Sequence, residues 1–357
     1  MRIVYLHRGY FPILAGAEIM TYRVAGEMQQ RGHQVCVVCR SWGDGIEYRE
    51  IEGIQVIGLP VVECASTEAH LPWQPDIVHV VDAVWPEYLQ LAYDLAHALD
   101  VPLAVTPAST ISTWQDVAVT LEICRQADVV YVLTESERKL FESYGISSER
   151  MVIIGQGPAL NGKPDAHTFR QQYNIAGPLV LFLGRKVAFK GYRQLLDAMK
   201  FVWQNLADTH FVFIGPHVDP DCQELFHMYA DPRMIEISAI DEAQKYSALE
   251  ASDILCLPTT ADVFPLVFVE AWFCSRPIIT SPFAGVEEII QHRRDGLIVE
   301  PDPPVLARAI VFLLQHPELR MAMGKSGWLR VQNEFNWRRV TDHVEQGYNE
   351  VLVSPFA

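Results

Sequence analysis

Short apolar runs and amphipathic stretches alternate along the chain, and they do so in two series. In the first, RIVYLH, QVCVVC, IQVIGL, DIVHVV, PLAVTP and VVYVLT have the length and the β-branched content of buried strands. Helical spacing of apolar positions lies between them, as over residues 18–31 and 87–99. After MVIIGQGP the alternation pauses over residues 155–165, which are rich in Gly, Pro and Asn. It restarts with PLVLFLGR, HFVFIGP, MIEIS, DILCLP, RPIITS and GLIVEP, and helical stretches here include 191–205, 243–251 and 304–316. Strands alternating with helices predict parallel sheets covered on both faces. Two such series predict an α/β chain of two Rossmann-like domains facing each other across a cleft. A ligand belongs at the carboxyl ends of the strands, in that cleft. The expected domains are residues 1–163 and 164–337, with a last helical stretch, 338–357, packing back on the first.

Composition narrows the function. The chain has 357 residues, half of them hydrophobic, with a formal net charge of -16. That charge argues against a nucleic-acid partner bound by phosphate neutralisation, but leaves room for one local basic pocket. The opening MRIVYLHRGYFPILAGAE reads as a strand and a loop, because its apolar part is short and no small-residue cleavage site follows. No stretch approaches the roughly 18 uninterrupted apolar residues of a membrane span. The expectation is a cytoplasmic protein, with contact to a membrane surface left open. Seven scattered cysteines suit reduced core thiols. The pair Cys36 and Cys39 sits three apart on a strand, which points the two side chains to opposite faces.

Three stretches carry chemistry. In FLGRKVAFKGYRQLLDAM an apolar strand ends at Gly184, Arg185 and Lys190 follow, and a helix opens near Gly191. A guanidinium fork and a mobile ammonium in one strand-to-helix loop suit an anion with several oxygens; ordinary surface cations are the alternative. In ADVFPLVFVEAW, Asp262 and Glu270 fence seven uncharged residues. The stretch reads as a loop feeding a helix from Leu266, with Val267, Ala271, Trp272 and Cys274 on a buried side and Pro265 tolerated in the first turn. The amides of Leu266 and Val267 would then face an anion. A buried strand with an acid at each end fits the same residues. In RGYFPILAGAEIM, Gly16 allows a ligand to approach the backbone closely, and Glu18 opens a helix.

In order and spacing, YFPILAGAE, GR with KG beyond it, the D-x7-E of Asp262 and Glu270, and the tail from GVEEIIQHRRDGLIVEP onward resemble the family-4-like glycosyltransferases of the GT-B fold. The resemblance covers nearly the whole chain. It implies a retaining transfer of a hexose from a nucleotide-diphosphate sugar, a UDP-sugar by frequency among relatives, to a glycan, lipid-linked or small-molecule acceptor. Such a chain would serve exopolysaccharide or cell-envelope synthesis. By position, Arg185 and Lys190 would bind the diphosphate, Glu270 the ribose hydroxyls and Asp262 the transferred sugar. Phe264, Pro265, Leu266 and Val267 would form the donor-binding stretch, in which the amides after Phe264-Pro265 bind sugar and phosphate and Pro265 itself offers no N–H. Gly16 would close on the diphosphate from the other domain, and Ile240 would pack on the base. Gly184 ends the strand that presents Arg185. With cations stabilising the leaving group, the resemblance implies neither a metal nor another cofactor.

Four departures stand out. Asp262 replaces glutamate, Pro265 replaces glycine, Ala15 replaces the first of two glycines, and AVTPASTISTWQD lacks the histidine many relatives carry there. They motivate two alternatives, a non-catalytic sugar-nucleotide-binding subunit and a GT-B-like sugar-nucleotide epimerase. His7 and His79, at or within apolar strands, read as structural. For the acceptor, the loops after DIVHVV and AVT offer Trp85 and Trp114 as ring platforms, beside Thr110, Ser112 and Asp116. Asp219-Pro220-Asp221 reads as a loop turn rather than a metal site. GPALNGKP fails as a phosphate loop, because Pro164 takes the place of the magnesium-binding hydroxyl.

Overall fold

The computed structural model describes residues 1–10, 16–238 and 240–353. Two compact units emerge, Met1–Gln156 with Trp337–Ala357, and Gly157–Asn336.

In the first unit, β1 (Arg2–Leu6), β2 (Gln34–Arg40), β3 (Glu47–Ile51), β4 (Ile54–Leu59), β5 (Ile77–Val81), β6 (Leu103–Thr106), β7 (Val129–Val132) and β8 (Met151–Ile153) form one sheet. Its order is β3-β4-β2-β1-β5-β6-β7-β8, and only β3 runs antiparallel to its neighbour. The helices are α1 (Gly16–Gln30), α2 (Cys64–His70), α3 (Pro86–Leu99), α4 (Val117–Gln126) and α5 (Glu135–Ser143). Every residue of β5, β6 and β7 is buried, as expected of parallel strands covered on both faces. The exception is β3, EYREI, which has no buried residue and went unread in the sequence. A charged edge strand leaves no apolar run, and its charges also discourage pairing with another chain.

In the second unit, β9 (Leu179–Leu183), β10 (His210–Ile214), β11 (Met234–Ile237), β12 (Ile254–Leu257), β13 (Ile278–Thr280) and β14 (Gly296–Ile298) pair in the order β11-β10-β9-β12-β13-β14. All pairs are parallel. Its helices are α6 (Ala166–Gln172), α7 (Tyr192–Trp203), α8 (Cys222–Met228), α9 (Glu242–Ala251), α10 (Leu266–Phe273), α11 (Val286–Ile289), α12 (Pro303–Gln315) and α13 (Pro317–Asn333). Among the described residues, no helix is long and apolar enough to cross a membrane.

The last helix, α14 (Trp337–Val353), packs on α1, β7 and β8 of the first unit. Arg31 pairs with Asp342 at 2.8 Å and with Glu345 at 2.6 Å, and His33 meets Glu345 at 2.8 Å. Inside, the Tyr348 hydroxyl lies 2.5 Å from His79 Nδ1 and donates to Tyr5 at 3.0 Å, while Thr106 lies 2.7 Å from His79 Nε2. Burial pulls the His79 imidazole down to about 3, so the ring is a neutral core member. All seven cysteines are free, six of them buried.

One buried acid is left strained. Glu137, in the first turn of α5, accepts from Leu133 N–H at 2.6 Å through Oε2, and its Oε1 has no partner. Burial pushes its carboxyl up to about 8. The folded chain therefore holds this proton where the unfolded chain, with an ordinary carboxylate pKa, releases it. Its contribution to stability is complete below about pH 4.5 and is lost as pH rises toward 8, at up to about 1.4 kcal/mol per unit. Glu137→Gln keeps an acceptor for Leu133 and cannot ionise. Thermal unfolding from pH 5 to 8 should show a melting temperature that falls less steeply in the variant and is higher than wild type at pH 8. Parallel profiles would refute this.

Candidate functional site

The second unit reverses its strand order at β9, which lies between β10 and β12. Open α/β sheets hold ligands at such a switch, beyond the carboxyl ends of the strands. The loops after β9 and β12 open there side by side. The first carries Gly184, Arg185 and Lys190, and the second carries Asp262, Phe264 and Pro265 into α10.

Two glycines permit this crowding. Gly191 has φ +80°, and a Cβ there would stand 2.3 Å from Pro258 O, so α7 can begin against the end of β12. Gly215 has φ +137°, and a Cβ there would stand 2.0 Å from Gly184 O. Thr260 N–H donates to Phe189 O at 2.8 Å, stitching the two loops together.

Across this stitch Lys190 Nζ meets Asp262 Oδ2 at 2.5 Å. Thr259 Oγ1 donates to the same carboxylate oxygen at 3.3 Å. Arg185 is exposed, its carbonyl accepts from Val187 N–H at 3.0 Å, and among the described residues its guanidinium makes neither a hydrogen bond nor an ion pair. The site thus presents one uncommitted guanidinium beside a balanced cation and anion.

The helix α10 begins at Leu266, as read, but Pro265 is the residue capping it rather than part of its first turn. With φ −61° Pro265 carries the carbonyl that takes Phe268 N–H at 3.0 Å. The amides of Leu266 and Val267 fall in the first turn, where no intrahelical acceptor exists. Val267 is only half-buried, while Phe268, Val269, Glu270, Ala271 and Trp272 are all buried. The helix is therefore enclosed over most of its surface instead of along one stripe. Trp272 anchors it, donating to Asp295 O at 2.9 Å and stacking on Phe335 at 6.0 Å. Phe264 meets the same Phe335 edge-on at 5.2 Å.

Glu270 is 2% exposed and pairs with Lys245 of α9 at 2.8 Å. Burial raises its carboxyl above the ordinary range, and Lys245 draws it part of the way back. Burial alone would lower the Lys245 ammonium, but Glu270 and Glu242 hold it above its usual value. Lys245 also donates to Ala159 O at 3.2 Å. Ile240, half-buried, stands just before Asp241, which caps α9 by accepting from Gln244 N–H at 2.7 Å. One loop and helix thus carry both Ile240 and the partner of Glu270.

Lys186 was missed by the sequence reading. It is fully buried. Its Nζ donates to Gly215 O at 2.6 Å and Ile237 O at 3.2 Å, and pairs with Glu236 at 2.9 Å. Its carbonyl accepts from Val218 and Asp219 N–H at 3.1 and 3.2 Å. The residue next to Arg185 therefore ties the loop to the ends of β10 and β11. A lysine three residues beyond an unbroken apolar strand is the only trace of this in the sequence.

Other predicted residues fall elsewhere. Gly16 is exposed at the start of α1 in the first unit, and Ala15 lies outside the described residues. Trp114 is no ring platform: it is 6% exposed, donates to Ser109 Oγ at 3.1 Å and meets Phe141 edge-on. An indole after a turn of 3-10 helix was drawn into the core because Ser109 satisfies its N–H. Trp85 is half-buried, with the Arg8 guanidinium 3.5 Å over its ring. Asp116 caps α4 by accepting from Val119 N–H at 3.0 Å. Asp219 and Asp221 are both engaged by Arg193, Asp219 at 2.9 Å, which fits a loop turn. Among the described residues, no three His, Cys, Asp or Glu side chains are grouped as metal ligands.

Two family descriptions match the chain, Glycosyl transferase 4-like domain over residues 15–157 and Glycosyl transferases group 1 over residues 177–316. The chain is 25% identical over 338 residues to a D-inositol 3-phosphate glycosyltransferase of Corynebacterium glutamicum, spanning 85% of this chain and 80% of that one. It is 28% identical over 189 residues to a phosphatidyl-myo-inositol mannosyltransferase of Mycobacterium tuberculosis, about half of each chain (51% and 50%). Among solved structures, sucrose-phosphate synthase from Thermosynechococcus elongatus superposes with a TM-score of 0.81 at 21% identity, over 99% of this chain and 100% of that one. HepE of Anabaena, solved with UDP-glucose, also reaches 0.81, at 17% identity over 98% and 100%. With both family descriptions matched in chain order and the strand order of each sheet in place, the chain belongs to the GT4-like glycosyltransferases of the GT-B fold.

Proposed function

We propose that this glycosyltransferase moves a hexose from a UDP-sugar to a hydroxylated acceptor, with retention of configuration and without a metal. The observation that carries the donor reading is the cluster at the β9–β12 switch, where Arg185, Lys190, Asp262 and the start of α10 come together. Arg185, Lys190 and the amides of Leu266 and Val267 would hold the diphosphate. Glu270 would accept from the ribose hydroxyls, Asp262 would hold the hexose, and Ile240 would pack on the base. UDP as the carrier is supported by HepE, a fold relative solved with UDP-glucose.

In this reading the acceptor oxygen attacks the anomeric carbon from the side on which the diphosphate departs. The bond from that carbon to the diphosphate oxygen breaks, and its electron pair stays on that oxygen. The acceptor proton passes to the same oxygen. What the chain supplies is stabilisation of the leaving charge by groups fixed beforehand, so no protein nucleophile is needed. Lys190 would exchange its contact with Asp262 for phosphate oxygens, which frees the Asp262 carboxylate for hexose hydroxyls.

Two measurements test the assignment. Calorimetric titration with UDP should show wild-type binding, and Arg185→Ala and Glu270→Ala should each weaken it about ten- to a hundredfold, the scale of one charge-assisted hydrogen bond. Unchanged affinity in both would remove the donor site from this place. Lys186 acts one step back. Lys186→Met should lower UDP affinity about tenfold, whereas uridine, which lacks the diphosphate, should bind within about twofold of wild type. Equal losses for the two ligands would mean that Lys186 supports the fold only, a conclusion a matching drop in melting temperature would strengthen.

A further inference from the structure

The Glu270 carboxylate depends on a lysine from another helix. Lys245, one turn into α9, reaches it at 2.8 Å, and the two side chains are only 13% and 3% exposed. The helix start that carries Lys245 is itself fixed. Asp241 caps α9 reciprocally: its carboxylate accepts from Gln244 N–H at 2.7 Å, and the Gln244 side-chain oxygen accepts from Asp241 N–H at 3.4 Å. Next along the helix, the Tyr246 ring packs on Phe273 of α10 at 6.1 Å, and Ser247 Oγ accepts from Asp165 N–H at 2.9 Å.

The ammonium is fully used within the chain. It is met by Glu270 at 2.8 Å, by Glu242 at 2.9 Å and by the Ala159 carbonyl at 3.2 Å. An ammonium has three N–H bonds, so three partners leave none for a ligand. Lys245 can therefore act on a ligand only through Glu270. The carboxylate is placed differently. Its Oε1 accepts from Lys245, and the Ala159 backbone gives it a second hydrogen bond. A carboxylate has about four acceptor positions, so about two remain. Neighbouring hydroxyls on a ribose ask for acceptors of this kind.

Charge decides how well those positions accept, because a hydrogen bond to an ionised acceptor is roughly twice as strong as a neutral one. Burial raises the Glu270 carboxyl, Lys245 is the main opposing influence, and Glu242 adds to the rise. The other titratable groups nearby do not substitute for Lys245. Cys274, just past α10, is a buried thiol held neutral by a raised pKa. Arg330 of α13, the helix packed on α10, is paired with Asp295 and Glu334.

We propose that Lys245 is a positioning residue for the transfer reaction: it holds Glu270 in place as a carboxylate, and through it sets the preference for a ribonucleotide over a 2′-deoxyribonucleotide donor. The inference rests on the reading that Glu270 takes the ribose.

Calorimetric titrations with UDP and with 2′-deoxy-UDP from pH 6 to 8.5 test it, because ionisation of the diphosphate cancels in the ratio of the two affinities. The wild-type chain should prefer UDP about tenfold or more throughout, the scale of one hydrogen bond to a charged acceptor. Lys245→Met leaves Glu270 buried without its cation, so its carboxyl rises further and is protonated at the acid end of the range. The preference should fall to about threefold or less at pH 6 and climb at least about threefold by pH 8.5, as the carboxyl ionises. Lys245→Gln, which keeps N–H donors but no charge, should give the same profile, and it carries the test where the methionine variant does not fold. A preference within about twofold of wild type at pH 6, or one lowered equally at every pH, would overturn the proposal. A wild-type chain that binds UDP and 2′-deoxy-UDP alike would instead remove the ribose from Glu270, and the proposal would fall with the donor reading.

Discussion

Parallel pairing sends every paralleled strand of a sheet to the same edge, and the chemistry of both units follows from that constraint. Helices cover the faces, so the strands have no polar side chains to spare. Polar groups collect where the strands end and the backbone turns into a helix. At those ends the sheet leaves carbonyls that want donors and helix starts that want acceptors. In the second unit Lys186 answers the carbonyls of Gly215 and Ile237. In the first unit, the turn after β5 answers Thr106 and Pro107 with backbone N–H groups. What remains uncommitted at the edge of the second unit, the Arg185 guanidinium and the first-turn amides of α10, is what the donor reading uses.

Buried charge in the second unit is organised around the same edge. Glu270 and Lys245 are both largely out of water, and so are Arg330 and Asp295, 2.9 Å apart. Such pairs gain little net stability, because desolvation costs about as much as attraction returns, while removing one partner strands the other. Their value lies in fixing geometry. Arg330 and Asp295 hold the floor on which Trp272 rests, with the guanidinium 4.6 Å over Phe335. Gly327 of α13 lets this happen, since a Cβ there would stand 1.9 Å from Trp272 Cδ1. The packing fixes α10, and α10 fixes Glu270 eight residues beyond Asp262.

Much of this was legible in the sequence because covered parallel strands write themselves as unbroken apolar runs. Twelve of the fourteen strands were read from their apolar runs, with ends off by up to three residues; β3, whose charges hide an edge strand, and the three-residue β8 were not. The loops with Arg185, Lys190 and Asp262 were legible because loop chemistry follows directly from strand ends. Residues whose meaning depends on tertiary surroundings were not. Trp114 looked like an exposed ring until Ser109 gave its indole a buried partner. Lys186 drew no reading of its own, yet its ammonium is met by the carbonyls of Gly215 and Ile237 and by the carboxylate of Glu236. Asp82 drew no reading at all, because no sequence pattern announces a left-handed aspartate. Sequence spacing shows which residues share a loop, whereas burial and backbone angle decide what they can do there.

Pro265 shows how finely that division runs. The sequence placed it inside the first turn of α10, where its missing N–H would be harmless. One position earlier, as the cap, it is equally free of intrahelical obligation, and its fixed φ near −65° matches the observed −61°. Relatives with glycine there would have an extra amide beside those of Leu266 and Val267. This chain exchanges that donor for a rigid entry into the helix. Phe264, 6% exposed against Phe335, is held on one side of the proline, and the free amides are held on the other. The loss of one donor thus comes with a more fixed direction for the two that remain. A flexible glycine would have to lose its freedom on each binding event, whereas the proline has already lost it in folding.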